Sequence, residues 1–491
     1  MQLPSLLFLE APTAPLPENL PEDLKLTLLL PEDVLPALRM PCGAKDIAAR
    51  QTLLRALEKS DALRERLTRL ADDMRAVADC HRSYSQVRCE NERYLAYLGL
   101  VNAAQTFCRD AAEPLPDISA GTLYDRFAAF FVNRVASPDF GEMEQAIGAL
   151  YPHIDSIRSN RVRIRGNKLR VSAESPVTFE ERLVRCAAEL GFDSFSKPRE
   201  VSRPLAPQLI DAIASLYPEQ FAAFKGFFDT HRAYFDEKLL NYRLELSFLL
   251  ALTALSDRVR KAGIPLTYPE ISAVPHIDIR ECYDITLLAK GEPRIVPNDV
   301  LFDRDAPLFY LTGANGGGKT TYLRTVGVAV LLFLVGAAVP CRKAVLYPLS
   351  GVYTHFPRDE RFDGDGRFAD EKKRIAEILD VCGNDSLILL NETFATTSEE
   401  TAVTQTEALA EQLYGSGCFG LYITHQHSLG QSKIPFLNVI VDSDDENRRT
   451  YKIARRRGGS SSYAQDILKK YSLTREALEQ RFPVMEGGDA K

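Results

Sequence analysis

The sequence of 491 residues has no C-x-x-C pair among its nine cysteines and no basic segment ahead of an apolar core at its N-terminus. Scattered cysteines argue against a disulfide framework or a cysteine zinc site and favour a reducing compartment. The start Met1–Pro4 is not that of a signal peptide. The most apolar run, 326–339, has about 14 residues, too few to span a membrane, and is predicted to be a buried helix. These absences predict a cytoplasmic protein without a membrane segment.

Positive charge is not in excess either. The sequence has 60 Lys and Arg against 67 Asp and Glu, which gives a net charge of −7 at pH 7. Contact with nucleic acid would therefore need a local basic patch. The sequence offers one candidate at 161–171, where apolar and basic residues alternate around Gly166-Asn167.

The segment 161–171 is predicted to be a β-hairpin, since Gly-Asn between alternating strands is typical of a two-residue turn. In that register Arg165 pairs with Lys168 and Arg163 with Arg170, so the charged side chains share one face. Such a face suits contact with a phosphate backbone. The alternative is a solvated face whose arginines meet acidic residues elsewhere in the protein. The basic residues of this candidate nucleic-acid contact are Arg161, Arg163, Arg165, Lys168 and Arg170.

A glycine-rich segment at 313–320 fits the phosphate-loop pattern G-x-x-x-x-G-K-[ST]. An apolar, strand-like segment 307–312 precedes it, and a helix-like stretch begins at Thr321. A strand that turns through glycines into a helix directs backbone N–H groups and the positive end of the helix dipole at one point. We expect Lys319 to reach the β- and γ-phosphates of a nucleoside triphosphate and Thr320 to bind Mg²⁺. The predicted nucleotide-binding residues are Gly313, Ala314, Asn315, Gly316, Gly317, Gly318, Lys319, Thr320 and Thr321.

Two further apolar strands are predicted to end beside this loop. The segment 386–390 precedes Asn391 and Glu392, and the segment 419–424 precedes His425. The carboxyl ends of the strands form the ligand-binding edge of such a sheet. Glu392 is predicted to orient and deprotonate the attacking water, and His425 to contact the γ-phosphate. Asn391 stands where an aspartate is usual; it keeps an oxygen for Mg²⁺, but we expect weaker metal binding and slower turnover.

Helical periodicity predominates in the first half of the chain. Apolar residues recur at helical spacing over 46–77, and the helix-like segments 94–107 and 123–135 follow. A further helix is predicted over 228–261, a rod of roughly 50 Å of the kind used as a lever. After a Gly and Pro cluster at 263–265, strand-like and helix-like segments alternate, as an α/β sheet requires.

The predicted fold is therefore a helical region followed by an α/β nucleotide-binding domain with a mostly parallel sheet. Three domains are predicted: a helical core region over 1–110, a lever- or clamp-like helical region over 111–264 that contains the hairpin, and the α/β domain over 265–491 with a helical C-terminal tail.

In series, the motifs of the second half resemble the ATPase domain of the MutS mismatch-recognition family. The resemblance covers roughly residues 265–480, and the segments that carry it are Pro297-Asn298-Asp299, 312–324, Val339-Pro340, 352–356, 386–392, Thr396-Thr397-Ser398, Thr424-His425, 450–453 and 461–464. It implies a phosphate-loop ATPase domain of the ABC type with ATP and Mg²⁺ as ligands. It also implies a homodimer through this domain, lever helices and a clamp that holds DNA.

Three departures from the family pattern bear on function. The family's signature segment, Ser-Thr-Phe followed at a fixed distance by Glu, reaches the partner subunit's nucleotide. Here Gly366-Arg367-Phe368 with Glu371 occupy its place, so the serine is missing, and Arg367 is a candidate for a cation supplied in trans. Asn391 is the second departure. The third is length, which leaves no room for the family's N-terminal mismatch-reading domain, so mismatch reading is not expected.

Two functions remain open at this point. One is a homodimeric MutS-like ATPase in DNA repair or recombination, whose ATP cycle gates a clamp on mismatched, branched or otherwise distorted DNA. The other is an ATP-gated dimeric interaction module with negligible hydrolysis that holds a protein or RNA partner; Asn391, Gly366 and the acidic net charge favour it.

Overall fold

The computed structural model describes residues 3–10, 14–115, 120–157, 160–165, 168–173, 207–292, 294–313, 315–357, 364–394, 399–424, 433–441 and 449–456. The chain divides into two compact units. The first, which we call the helical unit, comprises Met1–Leu6 and Ala56–Ser247; the second, which we call the sheet unit, comprises Leu7–Arg55 and Phe248–Lys491. The domain boundaries at 110 and 264, which rest on motif positions, stay a prediction.

Helices account for most of the described residues of the helical unit, and in the sheet unit they cover the larger sheet. In chain order the described helices are α1 (Leu20–Asp23), α2 (Leu35–Leu38), α3 (Ala44–Lys59), α4 (Asp61–Ser85), α5 (Glu90–Ala112), α6 (Thr122–Val135), α7 (Pro138–Ile157), α8 (Pro207–Leu216), α9 (Pro218–His231), α10 (Asn241–Lys261), α11 (Ile285–Ala289), α12 (Lys319–Leu334), α13 (Gly364–Val381) and α14 (Glu399–Ser416), with 3₁₀ turns at Leu26–Leu28, Glu32–Val34 and Glu237–Leu240.

The helical unit is held together by an aromatic core. α4 packs against α5, and α5 packs against α6 and α9. The rings of Phe107 on α5, Phe127 and Phe131 on α6, and Tyr242 at the start of α10 lie with centroids 4.8–6.5 Å apart. Aromatic pairs at such separations add to the free energy gained from burying their large apolar area. The helices predicted over 94–107 and 123–135 are confirmed as parts of α5 and α6.

Two predicted helices are interrupted by polar caps. The prediction of one helix over 228–261 is wrong: α9 ends at His231 and α10 begins only at Asn241, after a 3₁₀ turn. The Asp236 side chain accepts a hydrogen bond from the backbone N–H of Lys238 at 3.0 Å and so caps that turn. α10 has 21 residues, a length of about 32 Å instead of 50 Å. The pattern over 46–77 is likewise divided between α3 and α4 by Ser60, the N-cap of α4.

The predicted hairpin is confirmed at the level of the backbone. β1 (Asn160–Arg165) and β2 (Lys168–Ala173) pair antiparallel, with Arg165 opposite Lys168 and Arg163 opposite Arg170. This is the register that the alternation of apolar and basic residues predicts. The turn residues Gly166 and Asn167 lie outside the described residues.

The sheet unit contains two sheets, whose ten strands are β3 (Glu270–Ile271), β4 (Ile277–Cys282), β5 (Asn298–Phe302), β6 (Leu308–Thr312), β7 (Lys343–Leu346), β8 (Gly351–His355), β9 (Ser386–Asn391), β10 (Phe419–Ile423), β11 (Phe436–Val441) and β12 (Arg449–Arg456). The larger sheet has the order β12-β11-β6-β10-β9-β8, parallel except for the edge strand β12. The smaller has the order β3-β7-β4-β5. A mostly parallel sheet is therefore confirmed.

Helices cover both faces of the larger sheet. Ile388 and Leu390 of β9 belong to a buried cluster with Ile375 of α13 and residues of α14. On the opposite face, Leu389 packs closely against Gly327 of α12. A Cβ at Gly327 would lie only 2.7 Å from the Leu389 side chain. Successive residues of a strand point to opposite faces, so β9 is buried on both sides, as parallel sheets require.

One described stretch, Glu237–Lys261, is long and apolar enough to cross a membrane by length and composition alone. A share of 44% of its most apolar window is buried inside the protein. Core helices pass the same test, so this stretch is weak evidence for a membrane, and the predicted absence of a membrane segment stays a prediction.

Candidate nucleotide-binding site

Three neighbouring strands bring the predicted site residues to one edge of the larger sheet. β10 lies between β6 and β9 and parallel to both, with Ile423 opposite Leu311 on one side and Asn391 on the other. Parallel strands end at the same edge, where open α/β sheets bind ligands. The loop that begins at Gly313 and the residue Glu392 therefore meet at this edge.

The chain after β6 takes its shape from glycine. Gly313, Gly316 and Gly318 have φ values of +132°, +71° and +94°, which residues with a Cβ rarely adopt. A Cβ on Gly313 would also lie 2.9 Å from the Cβ of Val439. α12 begins directly after Gly318, so the free N–H groups and the positive dipole end of its first turn face the loop. Such an arrangement is suited to an anion.

Lys319 is held inside the loop. It is buried, with 5% of its surface exposed, and its Nζ donates to the carbonyl oxygen of Gly313 at 2.7 Å and to Oδ1 of Asn315 at 3.3 Å. Burial lowers the pKa of Lys319 to about 8, an effect that Glu392 opposes and Arg449 reinforces. A bound anion would restore the charge of this side chain.

Arg449, at the start of β12, is a cation near the loop that sequence reasoning missed. It pairs with Val441 of β11, and its Nη1 is buried without a hydrogen-bond partner among the described residues. Its positive charge lowers the pKa of Lys319, so the two cations repel each other. No local pattern distinguishes Arg449 from the neighbouring arginines; only the position of β12 in the sheet brings it here.

The predicted metal-binding pair is assembled at the end of β9. Asn391 is buried, and its Oδ1 lies 3.5 Å from the Thr320 hydroxyl oxygen. Adjacent oxygens suit Mg²⁺, which takes oxygen ligands, uses few from the protein and keeps water or phosphate in the other positions. The described residues contain no group of three or more His, Cys, Asp and Glu side chains able to hold a metal. The pair thus fits a metal whose remaining ligands come from a nucleotide and from water.

Glu392 follows in a strained conformation. Its φ is +52°, in the left-handed region that residues other than glycine seldom adopt. Its N–H donates to the carbonyl oxygen of Ile423 at 3.1 Å, which fixes the residue to the neighbouring strand. The side chain is partly exposed and lines a cavity of about 350 Å³ together with Lys319 and Thr320.

One wall of this cavity was not predicted. It comes from the chain ahead of β6 and from β12, and its residues are Asp284, Leu287, Glu292, Arg294, Val296, Asn298 and Tyr451. Asn298 accepts a hydrogen bond from the N–H of Ile453 at 2.8 Å and donates to the carbonyl oxygen of Tyr451 at 3.0 Å. The motif Pro297-Asn298-Asp299 was the available signal, but the sequence assigns it no role.

The remaining predicted residues divide into two groups. Thr321 lines the cavity and Gly317 is buried. Ala314 and His425 lie outside the described residues. The segment Gly366-Arg367-Phe368 lies on the backbone of α13, but its side chains are outside the described part, so a contact in trans stays a prediction.

Comparison with known proteins points to one family. The model of MutS domain V matches residues 309–467. Three relatives called DNA mismatch repair protein MutS are similar in part. The protein of Thermotoga neapolitana is 28% identical over 205 residues (39% of this chain and 26% of the relative). Those of Anaeromyxobacter sp. (strain K) and Thermus thermophilus are each 30% identical, over 264 residues (48% and 30%) and 189 residues (38% and 23%).

The matched part spans 23–30% of the length of these relatives, so the likeness concerns one region of larger proteins. The residues matched by the family model include the loop, α12, β9, β10 and Arg449. The glycine loop and the residues proposed for the metal and the base therefore fall inside the segment that the MutS domain V model matches. Geometry and sequence thus agree that residues 309–467 are similar to MutS domain V.

Proposed function

We propose that the chain is a MutS-type ATPase that binds ATP and Mg²⁺ in the cavity beside Lys319 and uses ATP binding and hydrolysis to gate a grip on DNA. The observation that carries the proposal is the meeting of the glycine loop, the Asn391–Thr320 pair and Glu392 at one sheet edge. Nucleotide hydrolysis needs a group that binds the phosphates, ligands for a metal ion and a base, and residues suited to each of these roles lie at this edge.

The triphosphate would be bound chiefly by charge. The first turn of α12 offers N–H groups, and Lys319 and Arg449 contribute two cations whose mutual repulsion an anion relieves. Lys319 would exchange its hydrogen bonds to Gly313 and Asn315 for phosphate oxygens. The loop thus holds its lysine in place before the ligand arrives, which lowers the free energy cost of ordering it.

Thr320 and Asn391 would hold Mg²⁺, which when bound neutralises charge that develops on the phosphates. Because Asn391 is uncharged, it attracts the cation less than an aspartate would. We infer weaker Mg²⁺ binding than in a site with a carboxylate at this position.

Glu392 would act as the base. Its carboxylate accepts a proton from the water whose oxygen attacks the γ-phosphorus, while the bond from that phosphorus to the β–γ bridging oxygen breaks and ADP leaves. The bond between the Glu392 N–H and Ile423 fixes the start of the side chain. His425, the next residue after Thr424 at the neighbouring strand end, would contact the γ-phosphate.

DNA is the proposed partner of the helical unit. The hairpin β1–β2 places Arg163 opposite Arg170 and Arg165 opposite Lys168, pairs that are unfavourable unless an anion lies near them. The similarity to MutS domain V and to DNA mismatch repair proteins supports DNA as that anion and a homodimer through the nucleotide domain. Repair or recombination in the cytoplasm, on mismatched, branched or distorted duplexes, is the corresponding role.

The experiment that tests the proposal compares ATP turnover of the wild type and of Glu392→Ala, with and without linear and branched duplex DNA at moderate salt. We expect DNA to stimulate wild-type turnover, and the substitution to lower it roughly 10²–10⁴-fold. Protein that binds no DNA form in a salt-sensitive manner would contradict the DNA part; wild-type protein without nucleotide binding would contradict the whole proposal.

A second function is favoured by one observation, the neutral Asn391 at the metal seat. In this alternative the chain is a dimeric module that holds ATP, hydrolyses it negligibly and grips a protein or RNA partner. The variant Asn391→Asp separates the two: a gain in turnover of tenfold or more, about 1.4 kcal/mol of barrier, indicates a native site adapted to holding. Little change supports the ATPase.

A further inference from the structure

The turn 391–394, which carries the proposed base, is strained at two residues. Glu392 and Phe394 have φ values of +52° and +62°. Left-handed backbone costs a residue with a Cβ about 1–2 kcal/mol. Two such residues within three positions persist only where the surroundings hold them.

Three contacts hold the turn. The N–H of Glu392 donates to Ile423 at 3.1 Å. The Thr393 hydroxyl contacts the Tyr422 hydroxyl, which also lies 3.1 Å from the hydroxyl of Thr406. The N–H of Phe394 donates to the carboxylate of Glu371 on α13. Each residue after Asn391 in this turn therefore has its own anchor, on β10 for Glu392 and Thr393 and on α13 for Phe394.

Glu371 supplies the one carboxylate among these anchors, and the proposed chemistry does not use it. Its Oε2 is buried and has no hydrogen-bond partner in the described part of the chain. Burial raises the pKa of Glu371, and the Phe394 N–H and Arg374 oppose this rise. Burying a carboxylate costs free energy unless it is well paired. An apolar residue at this position of the helix would avoid that cost but would leave the Phe394 N–H without an acceptor.

We propose that Glu371 is a positioning residue for Glu392: its carboxylate holds the N–H of Phe394, keeps the turn 391–394 in its left-handed conformation and so fixes where the base points. The ring of Phe394 supports the same conformation, since it is 3% exposed and shares a buried cluster with Ile375 of α13. α13 therefore contacts the turn through a polar and an apolar side chain one helical turn apart.

The placement of Glu371 has a consequence for coupling, which rests on the proposed ATPase function. Phe368, the last residue of the segment predicted to reach the partner subunit's nucleotide, lies three positions before Glu371 on α13. A displacement of the start of α13 by a nucleotide in the other subunit would be transmitted to Phe394 and hence to the turn. One helix thus joins the two nucleotide sites of a dimer.

The test uses the full chain and three variants: Glu371→Ala, Glu371→Gln, and the control Glu377→Gln on the exposed side of the same helix. Two quantities are measured, the hydrogen exchange of the peptide that contains the Phe394 amide, and kcat together with the dissociation constant for a fluorescent ATP analogue. We expect Glu371→Ala to raise exchange at this peptide and to lower kcat at least tenfold, with nucleotide affinity changed less than twofold. The glutamine, whose amide oxygen still accepts, should retain protection and at least half of kcat.

A merely structural role predicts a different pattern, in which Glu371→Ala lowers the melting temperature, affinity and turnover together and Glu371→Gln does no better. That pattern would overturn the proposal, as would unchanged exchange in Glu371→Ala. If the wild type binds ATP without turnover, the ATPase proposal fails by itself. The hydrogen exchange of the Phe394 peptide still tests whether Glu371 holds the turn, since this measurement requires no hydrolysis.

Discussion

The two units of the chain differ in where they accept backbone strain. Among the described residues, all the non-glycine residues with left-handed φ lie in the sheet unit; they are Lys25, Glu281, Glu392, Phe394 and Tyr451. Glu392 and Tyr451 line the cavity, and Phe394 ends the turn behind it. In the described part of the helical unit, Gly121 alone has a φ in this region, and glycine adopts it without strain.

The aromatic core of the helical unit and the ligand edge of the sheet unit also differ in what they bury. The helical unit buries aromatic rings against one another, as Phe107, Phe127 and Phe131 show. At its ligand edge the sheet unit buries polar groups, among them Lys319 and Asn391. Strain and buried polarity together are typical of functional sites. We therefore expect substitutions at the ligand edge of the sheet unit to impair nucleotide binding first, and substitutions in the core of the helical unit to impair stability first.

The strongest test of this contrast removes the same charge from each unit. Lys319→Met deletes the buried ammonium group of the loop, whereas Lys225→Met deletes an exposed one on α9. A charge-assisted hydrogen bond contributes about 1.5–3 kcal/mol, so loss of the phosphate contacts of Lys319 should raise the dissociation constant for ATP roughly a hundredfold. Titration with a fluorescent ATP analogue measures both variants. Equal effects at the two positions would erase the distinction between the units.

A second test changes the core of the helical unit, where we expect an effect on stability and none on ATP affinity. Phe127 is fully buried among four rings of the helical unit, and Phe127→Ala should lower the free energy of unfolding by about 3–5 kcal/mol. Its partly exposed neighbour Phe130 provides the matched control, and Phe130→Ala should cost clearly less. Urea unfolding followed by circular dichroism gives the difference. ATP affinity should be unchanged where both variants are folded; a parallel loss of affinity would contradict the comparison.

The same contrast governs what the sequence could predict. The glycine loop, β9 and β10 were predicted correctly because each is a local pattern: an apolar strand, then a residue type that the strand end requires. The register of the hairpin around Gly166-Asn167 was equally local and is confirmed. The order of these motifs along the chain carried the family resemblance, and ATP, Mg²⁺ and a homodimer, which the resemblance implies, stay predictions.

Most features that the sequence did not predict depend on contacts between distant parts of the chain. The apolar residues keep helical spacing from Phe228 through Leu239 and Leu244. The spacing therefore gives no sign that the helix stops before the 3₁₀ turn that Asp236 caps. Arg449 and Tyr451 reach the loop only because β12 pairs with β11, which pairs with β6. Such contacts follow from sheet order, which one sequence does not specify. The left-handed conformations of Glu392 and Phe394 were also not predicted, because the residue type that signals such a conformation is glycine and neither residue is one.

The smallest expected effect is a pH dependence of stability and of ATP affinity. It is specific to the sheet unit, because it depends on the charge state of Lys319. Burial lowers the pKa of this group in the folded protein to about 8 from its usual 10.5. Between these values the unfolded chain binds more protons than the folded one, so the unliganded protein should gain stability as pH rises from about 8 to 10.5. Nucleotide binding has the opposite sign. A bound polyphosphate favours the protonated lysine, so binding must take up a proton above pH 8.

ATP affinity should therefore fall as pH rises above 8, by at most tenfold per pH unit. Phosphate groups, with a pKa of about 6, no longer titrate in this range. Dissociation constants at pH 7.5, 8.5 and 9.5 measure the slope. Lys319→Arg is the control, because a guanidinium stays charged throughout and should give a flat profile even if its affinity is lower. A flat profile in the wild type would mean that the loop keeps its lysine charged without a ligand. The burial of Lys319 would then be offset by charges such as Glu392, and the contrast in buried polarity between the units would be smaller than the geometry indicates.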